Sequence, residues 1–373
     1  MRDTMPRRLI VLFDGTWNKV QTHTNVERLW KLIASVDAAG TAQITQYIEG
    51  VGVKPGITHL LGGAFGLGLS ANIEQGYRWL CQNWNDSDEV FLFGFSRGAY
   101  SARSAAGMIH KCGLLKPDAK GEVTQGAVDD AYDFYRNDIK PDDPQAVAFR
   151  AQHSREIPIH FIGVWDTVGA LGIPEVASWF PYARSRYRFH DTELSSSVRY
   201  AYQALALDEH RADFAPTKWT RLPQNLAPGE SPTSKKPSQI DVEQHWFIGC
   251  HSDVGGGEET DGAGRKPDPL PDLPLAWMQR KAADAGLAFV TPFVPLPDAE
   301  LGTPNNSYAQ FMYGLYKIFK QPFNRTIGGG VNETIDESVW QRWREVAAYR
   351  PPTLTGAIAG GVVTPPPDIS QMA

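Results

Sequence analysis

Two spacings of apolar residues alternate along the chain and predict alternating strands and helices. Short unbroken apolar runs are typical of strands buried on both faces of a sheet, and apolar residues three or four positions apart are typical of one face of a helix. The predicted strands are Leu9–Phe13, Ile44–Ile48, Glu89–Phe93, Ile157–Val164 and His245–Gly249. The predicted helices are Asn25–Val36, Asn72–Trp84, Ser197–Leu207, Leu275–Gly286 and Tyr308–Phe319.

This alternation predicts the α/β class, with a mostly parallel sheet flanked by helices. A chain of 373 residues can bury one large core or two modest ones, and we expect one domain over residues 1–350. Loop-rich and Pro-rich stretches predict insertions at about 116–156, 174–196, 221–240, 258–274 and 300–330. The Pro/Gly/Thr-rich residues 351–373 predict a flexible C-terminal tail.

Composition excludes some classes of function. Apolar residues make up 42% and charged residues 21%, which is ordinary for a soluble globular protein. The net charge of −6 argues against nucleic-acid binding. Three cysteines without a C-x-x-C motif argue against a disulfide framework and favour a reducing compartment.

The N-terminus bears on location. Basic residues precede an apolar run that breaks at Asp14 after five residues, which is too short for a signal peptide. No apolar run in the sequence approaches the ~20 residues of a membrane span. The expected location is therefore cytoplasmic, with secretion by a signal-independent route left open.

One stretch, EVFLFGFSRGAYSARSAAG, combines an apolar strand, a sharp turn and an alanine-rich helix. Its turn reads G-x-S-x-G, with Ser96 at the centre and Gly94 and Gly98 on either side. A serine in such a turn projects its hydroxyl from the edge of the sheet, and the glycines let strand and helix approach each other. The pattern predicts a nucleophilic serine of the kind found in α/β-hydrolases.

Two other strands end in chemically useful residues beside glycines, namely Asp166 and His251. Because strand ends share one edge of a parallel sheet, these residues and Ser96 are expected to converge there. The order Ser, Asp, His is that of α/β-hydrolases, and the three types suit acyl transfer. The oxyanion is expected to bind the N–H of Arg97 and a second N–H from the turn Gly15–Thr16.

Alternatives compete with each of these assignments. Asp253 rivals Asp166 as the acid, although its place beside a glycine run also suits a role in the turn. Cys250, His251 and Asp253 are residue types that bind metals, but no partner residues stand at zinc spacing. A phosphatase with an aspartyl nucleophile is rejected, since Leu12 stands where its second aspartate is needed. The sequence predicts no metal and no cofactor.

Six motifs occur together in the order FDGTWN, GFSRGAYSAR, GVWDTVGALG, ALALDEHR, HWFIGCHSDVGGG and LAWM. In this the chain resembles the DUF2235 family, which includes the Tle1-type phospholipase effectors of bacterial type VI secretion. The resemblance runs from Arg8 to about Pro352 and implies a Ser–Asp–His α/β-hydrolase. One departure is Asp336, where the family tends to have histidine. The chain also resembles the catalytic domain alone, without the long C-terminal region of secreted effectors.

The resulting expectation is a serine esterase that acts on acyl esters of phospholipids, with peripheral membrane contact. Two alternatives stay open: an esterase of small soluble esters or polyesters, and a catalytically silent hydrolase fold that serves as a binding module. The apolar stripe of Tyr308–Phe319 suits either a core helix or a lid. Arginines interleaved with aromatic residues in Trp179–Phe189 suit a surface that meets anionic head groups.

Overall fold

The structure, a computed structural model, describes residues 6–15, 22–50, 62–169, 193–257, 269–310 and 316–370. Thr16, the stretch Trp179–Phe189 and residues 311–315 lie outside these ranges. The strands are β1 (Arg8–Phe13), β2 (Gln43–Ile48), β3 (Glu89–Phe95), β4 (Leu114–Leu115), β5 (Ser154–Arg155), β6 (Ile159–Trp165), β7 (Val198–Ala206), β8 (Asp241–Phe247) and β9 (Glu333–Ile335). The helices are α1 (Asn25–Leu32), α2 (Gly62–Asn83), α3 (Arg97–Cys112), α4 (Gln125–Arg136), α5 (Pro144–His153), α6 (His251–Gly255), α7 (Asp272–Asp284), α8 (Ser307–Gln310), α9 (Tyr316–Phe319), α10 (Glu337–Glu345), α11 (Pro352–Ala359) and α12 (Pro367–Ser370). Short 3₁₀ turns occupy Ala212–Phe214, Pro223–Asn225 and Ala299–Leu301.

Seven strands form one sheet in the order β2-β1-β3-β6-β7-β8-β9. Every neighbouring pair in it is parallel. The chain leaves β1 toward β2 on one side and returns to β3 on the other, so a crevice opens at the carboxyl ends of β1 and β3. The predicted α/β class with a parallel sheet is confirmed.

Helices cover both faces of the sheet, and the alternation of side chains in β1 shows why. Leu9, Val11 and Phe13 enter the apolar layer that contains residues of α2 and α3. Ile10 and Leu12 enter the opposite layer, which contains residues of α1 and α7. Because both faces are buried, an unbroken apolar run is what such a strand requires.

The predicted helix Ser197–Leu207 is wrong, because this segment forms β7 in the interior of the sheet. Its alanines and leucines have good helix propensity, which is why the sequence misleads. In the fold β7 pairs with β6 on one side and β8 on the other, so neighbouring strands supply its backbone hydrogen bonds. Tertiary pairing therefore overrides local propensity here.

The C-terminal region was expected to be unstructured from Pro351 onward. Instead, Pro352–Ala359 and Pro367–Ser370 are helical, and Leu354 and Ile369 are buried. Both side chains join a third apolar cluster that includes Trp246 of β8. Of the predicted helix Tyr308–Phe319, the described parts are α8 and α9, and the OH of Tyr308 donates to the carbonyl of Lys320 at 2.7 Å.

Candidate active site

The turn between β3 and α3 places Ser96 at the carboxyl edge of the sheet. Ser96 has φ of 58° and ψ of −119°, a backbone conformation that side-chain-bearing residues rarely adopt. A Cβ at Gly94 would lie 2.4 Å from the carbonyl oxygen of Gly98, and one at Gly98 would lie 2.1 Å from that of Phe13. Both glycines of the motif are therefore required by close backbone contact.

A chain of hydrogen bonds joins the three residues that the sequence singled out. The Oγ of Ser96 lies 2.8 Å from Nε2 of His251, and Nδ1 of His251 lies 2.6 Å from Oδ2 of Asp166. All three side chains are buried, and they come from the ends of β3, β6 and the segment after β8. The structure thus brings together a hydroxyl, an imidazole and a carboxylate in the arrangement that nucleophilic acyl transfer uses.

The imidazole of His251 lies between two aromatic rings. Phe95 is 4.7 Å away between ring centroids, and Phe214 contacts it edge-on at 5.1 Å. This burial lowers the pKa of His251, although Asp166 opposes the shift. A neutral imidazole can accept the proton of a nearby hydroxyl, so the site favours the form that a general base needs.

Asp166 is completely buried and is held by more partners than the sequence indicated. Its Oδ1 accepts from the N–H of Ala206 at 3.0 Å and from Nη1 of Arg325 at 2.6 Å, and Arg325 Nη2 donates to Oδ2 at 2.8 Å. Burial on its own raises the pKa of a carboxyl, but here the charge and hydrogen bonds of Arg325 hold the pKa of Asp166 well below its usual range. Sequence reasoning missed Arg325, which lies far from the motifs along the chain.

A second buried ion pair supports the backbone of His251. Glu209 follows β7, and its Oε2 accepts the N–H of His251 at 3.2 Å. Arg211 donates to both carboxylate oxygens of Glu209 at 2.8 and 2.7 Å, and Ser307 Oγ lies 3.0 Å from Oε2. The motif ALALDEHR contains Glu209 and Arg211, but a helical interpretation of that segment gave no reason to place them at the site.

Asp253, the alternative candidate for the acid, forms hydrogen bonds that stabilise the turn after β8. It accepts the N–H of Cys250 at 2.8 Å and two donors of Asn305 at 2.6 and 3.0 Å. Burial raises the pKa of Asp253 to about 7, in spite of these three donors. Within the described part of the chain, no group of three or more His, Cys, Asp or Glu side chains is arranged to hold a metal ion.

The oxyanion donors remain a prediction. Arg97 is the first residue of α3, and the first N–H groups of a helix have no acceptor within the helix itself. The N–H of Gly15 donates to Oδ1 of Asp14 at 2.6 Å, so it would have to be shared with an oxyanion. Asp14 is buried, accepts from Thr24 Oγ1 at 2.7 Å and also from the hydroxyl of Tyr47, and ties this turn to α1 and β2.

Comparison with known families assigns the chain to one of them. The model of the type VI secretion phospholipase effector family, Tle1-like, catalytic domain, matches residues 7–281, which is most of the chain. The chain belongs to this Tle1-like family. The family is named for phospholipase effectors. The matched residues of the Tle1-like domain include Ser96, Asp166 and His251, whereas Arg325 lies beyond them.

Two further proteins resemble this Tle1-like chain. The uncharacterized protein YEL023C of Saccharomyces cerevisiae is 30% identical over 240 residues, which is 58% of this chain and 33% of that protein. The chain therefore spans about a third of the length of this curated relative. A crystal structure of an uncharacterized protein from Pseudomonas aeruginosa aligns with 18% identity and a TM-score of 0.44 over 85% of this chain and 51% of the other. In the described residues, no helix has the length and apolar character needed to cross a bilayer.

Proposed function

We propose that this protein is a serine hydrolase that cleaves acyl esters of phospholipids through Ser96, His251 and Asp166. The observation that carries the proposal is the unbroken hydrogen-bond chain from Ser96 Oγ through both ring nitrogens of His251 to Asp166 Oδ2. Membership of a phospholipase family supports the lipid as substrate.

The first half of the reaction acylates Ser96. Its Oγ attacks the ester carbonyl carbon while Nε2 of His251 takes the hydroxyl proton. Asp166 holds the Nδ1–H tautomer and stabilises the imidazolium that forms. The N–H of Arg97 is the proposed donor to the oxyanion, and the turn Gly15–Thr16 is proposed to supply the second.

The second half returns the enzyme to its starting state. The tetrahedral intermediate collapses, and the departing lysophospholipid oxygen takes the proton from His251. A water molecule then gives its proton to His251 and attacks the acyl carbon of the ester on Ser96. Collapse of this second intermediate releases the fatty acid and returns the proton to Ser96 Oγ.

Ser96→Ala tests the nucleophile. We expect a loss of turnover of the order of 10⁶-fold with the fold intact, and no labelling by a fluorophosphonate, which should label Ser96 alone in the native protein. Ser101→Ala is the matched control, because Ser101 is a buried serine of α3 whose Oγ donates to the helix carbonyl of Arg97 at 3.2 Å. Labelling that persists in the Ser96 variant would refute the assignment.

The substrate class needs a separate assay. Fatty-acid release from phospholipid vesicles is compared with hydrolysis of p-nitrophenyl esters of graded chain length. We expect turnover on vesicles to exceed that on the short soluble esters. Turnover on soluble esters alone would favour the carboxylesterase alternative, and turnover on neither, with no labelling, would favour a silent binding module.

A further inference from the structure

The Arg325 side chain lies at the back of the site and makes a two-pronged contact with the acid. It is 0% exposed, and so is the side chain of Asp166. Its Nη1 and Nη2 each donate to a different oxygen of Asp166, at 2.6 and 2.8 Å. The same two nitrogens also donate to the carbonyls of Ala206 at 2.8 Å and Phe214 at 2.6 Å. The guanidinium is thus held by the end of β7 and the 3₁₀ turn after it, and its orientation is set by backbone.

The charge and the position of Asp166 depend largely on Arg325. Among the described residues, the other donors to its carboxylate are the N–H of Ala206 and Nδ1 of His251. A carboxylate taken out of water tends to become protonated unless a positive charge lies beside it. A protonated Asp166 would be a poor acceptor for the hydrogen bond from Nδ1–H of His251. His251 would then lose the tautomer whose unprotonated Nε2 faces Ser96.

The protonation state of His251 also depends on the ion pair between Asp166 and Arg325. The groups that face it are Asp166 with Arg325 behind it, and Glu209 with Arg211. Each carboxylate has its own arginine, so neither needs a proton on His251 as its counter-charge. If Arg325 were lost, Asp166 would draw that proton onto the imidazole or take it up directly, and either change disables the base.

We propose that Arg325 is a positioning residue that holds Asp166 ionised and oriented for the proposed serine hydrolase. The role rests on the proposed function, and Arg325 itself contacts neither Ser96 nor the reacting atoms. It reaches Ser96 through Asp166 and His251, from a part of the chain outside the family match.

The test measures the rate at which a fluorophosphonate acylates Ser96, between about pH 5 and 9, since imidazole titrates in this range. This readout needs no knowledge of the lipid. Arg325→Met should lower the maximal rate by ~10²–10⁴-fold, as loss of an orienting acid does. The acid limb of the profile should also move to higher pH by ~1–3 units, because a positive charge has left the neighbourhood of Asp166 and His251.

Two further variants separate positioning from stability. Arg325→Lys keeps the charge but cannot form the two-pronged contact, so we expect an acid limb near that of the native protein with an intermediate rate. Arg342→Met is the matched control, because Arg342 is a buried arginine that donates to the carbonyls of Glu300 and Gly302. It should lose stability and keep both the rate and the pH profile.

Every outcome of these measurements either supports or overturns the role of Arg325. A folded Arg325→Met protein with the native rate and acid limb would overturn it. If that variant does not fold, Arg325→Lys decides, and a fully native rate in the lysine variant would overturn the positioning role. Failure of the proposed function looks different, because the native protein would then show no labelling of Ser96.

Discussion

Glu209 accepts the backbone N–H of His251 at 3.2 Å while its carboxylate is paired with Arg211 inside the protein. The side chain of Glu209 is 0% exposed and that of Arg211 is 8% exposed. Burial on its own would raise the pKa of Glu209, but the hydrogen bonds and charge of Arg211 bring it down to about 2. This pair therefore fixes the peptide from which the imidazole projects, independently of the bond to Asp166.

Glu209→Gln should destabilise the fold by about 3–5 kcal/mol, because it leaves Arg211 buried without its counter-charge. The measurement is the free energy of unfolding in urea. Adding Arg211→Met to the same protein should recover most of the loss. Glu337→Gln is the control, since Glu337 forms an exposed pair with Arg344 and should change stability by less than about 1 kcal/mol. Equal effects of Glu209→Gln and Glu337→Gln would contradict the structural role.

Asp166→Asn and Asp253→Asn should separate the two candidate acids. Asp166→Asn should cut kcat by up to ~10⁴-fold, because the amide cannot hold the productive tautomer of His251. It should also lower stability, since Arg325 loses its buried partner. Asp253→Asn should lower the melting temperature and largely spare kcat, because Asp253 bonds Cys250 and Asn305. The opposite pattern in kcat would exchange the two roles.

The pH dependence of kcat/KM should reflect the buried imidazole. Since burial lowers the pKa of His251 from its ordinary 6.5, the base stays neutral to lower pH and the acid limb should lie below pH 6.5. Phe214→Ala should move this limb upward, because water then reaches the ring. Phe149→Ala, which removes a ring stacked on Phe134, should leave it unchanged. An acid limb well above pH 6.5 in the native protein would argue against His251 as the base.

Gly98→Ala should disrupt the turn that carries Ser96. A Cβ there would lie 2.1 Å from the backbone oxygen of Phe13, which cannot move aside without shifting β1. We expect lower stability and a large loss of activity, seen in the melting temperature and in labelling of Ser96. Gly126→Ala is the control, because a Cβ at this position of α4 meets nothing within 4 Å and should be neutral or stabilising by up to ~1 kcal/mol. Native activity in Gly98→Ala would show that the close contact is dispensable.

The Arg/aromatic stretch Trp179–Phe189 supports a prediction from its sequence alone. Replacing Arg184, Arg186 and Arg188 with Gln should weaken activity on anionic vesicles and spare short soluble esters, because each cation near such a surface contributes roughly 1 kcal/mol. The control replaces the exposed Lys116, Lys120 and Lys140 with Gln, which changes the net charge equally at other positions. Equal losses on both substrates would indicate a folding defect, and no loss on either would exclude a role at the membrane.

The sequence alone determined the class of fold and the residues on which the chemistry is proposed to depend. Strands buried on both faces must be unbroken apolar runs, so β1, β3 and β6 were recognisable. The glycines around Ser96 were readable for a similar reason, because close backbone contact leaves no room for a side chain. Burial on both faces and close backbone contact each restrict residues that are near one another along the chain. Both requirements can therefore be recognised as a local sequence pattern.

Tertiary structure alone decided the identity of β7 and the partners of Asp166 and His251. The segment of β7 has helix-forming residues, and only β6 and β8 on either side make it a strand. Asp166 and Arg325 lie 159 positions apart, and His251 and Glu209 lie 42 apart. A buried ion pair requires complementary charge in space and imposes no spacing along the chain, so no sequence pattern marks these arginines before the fold brings them to the site.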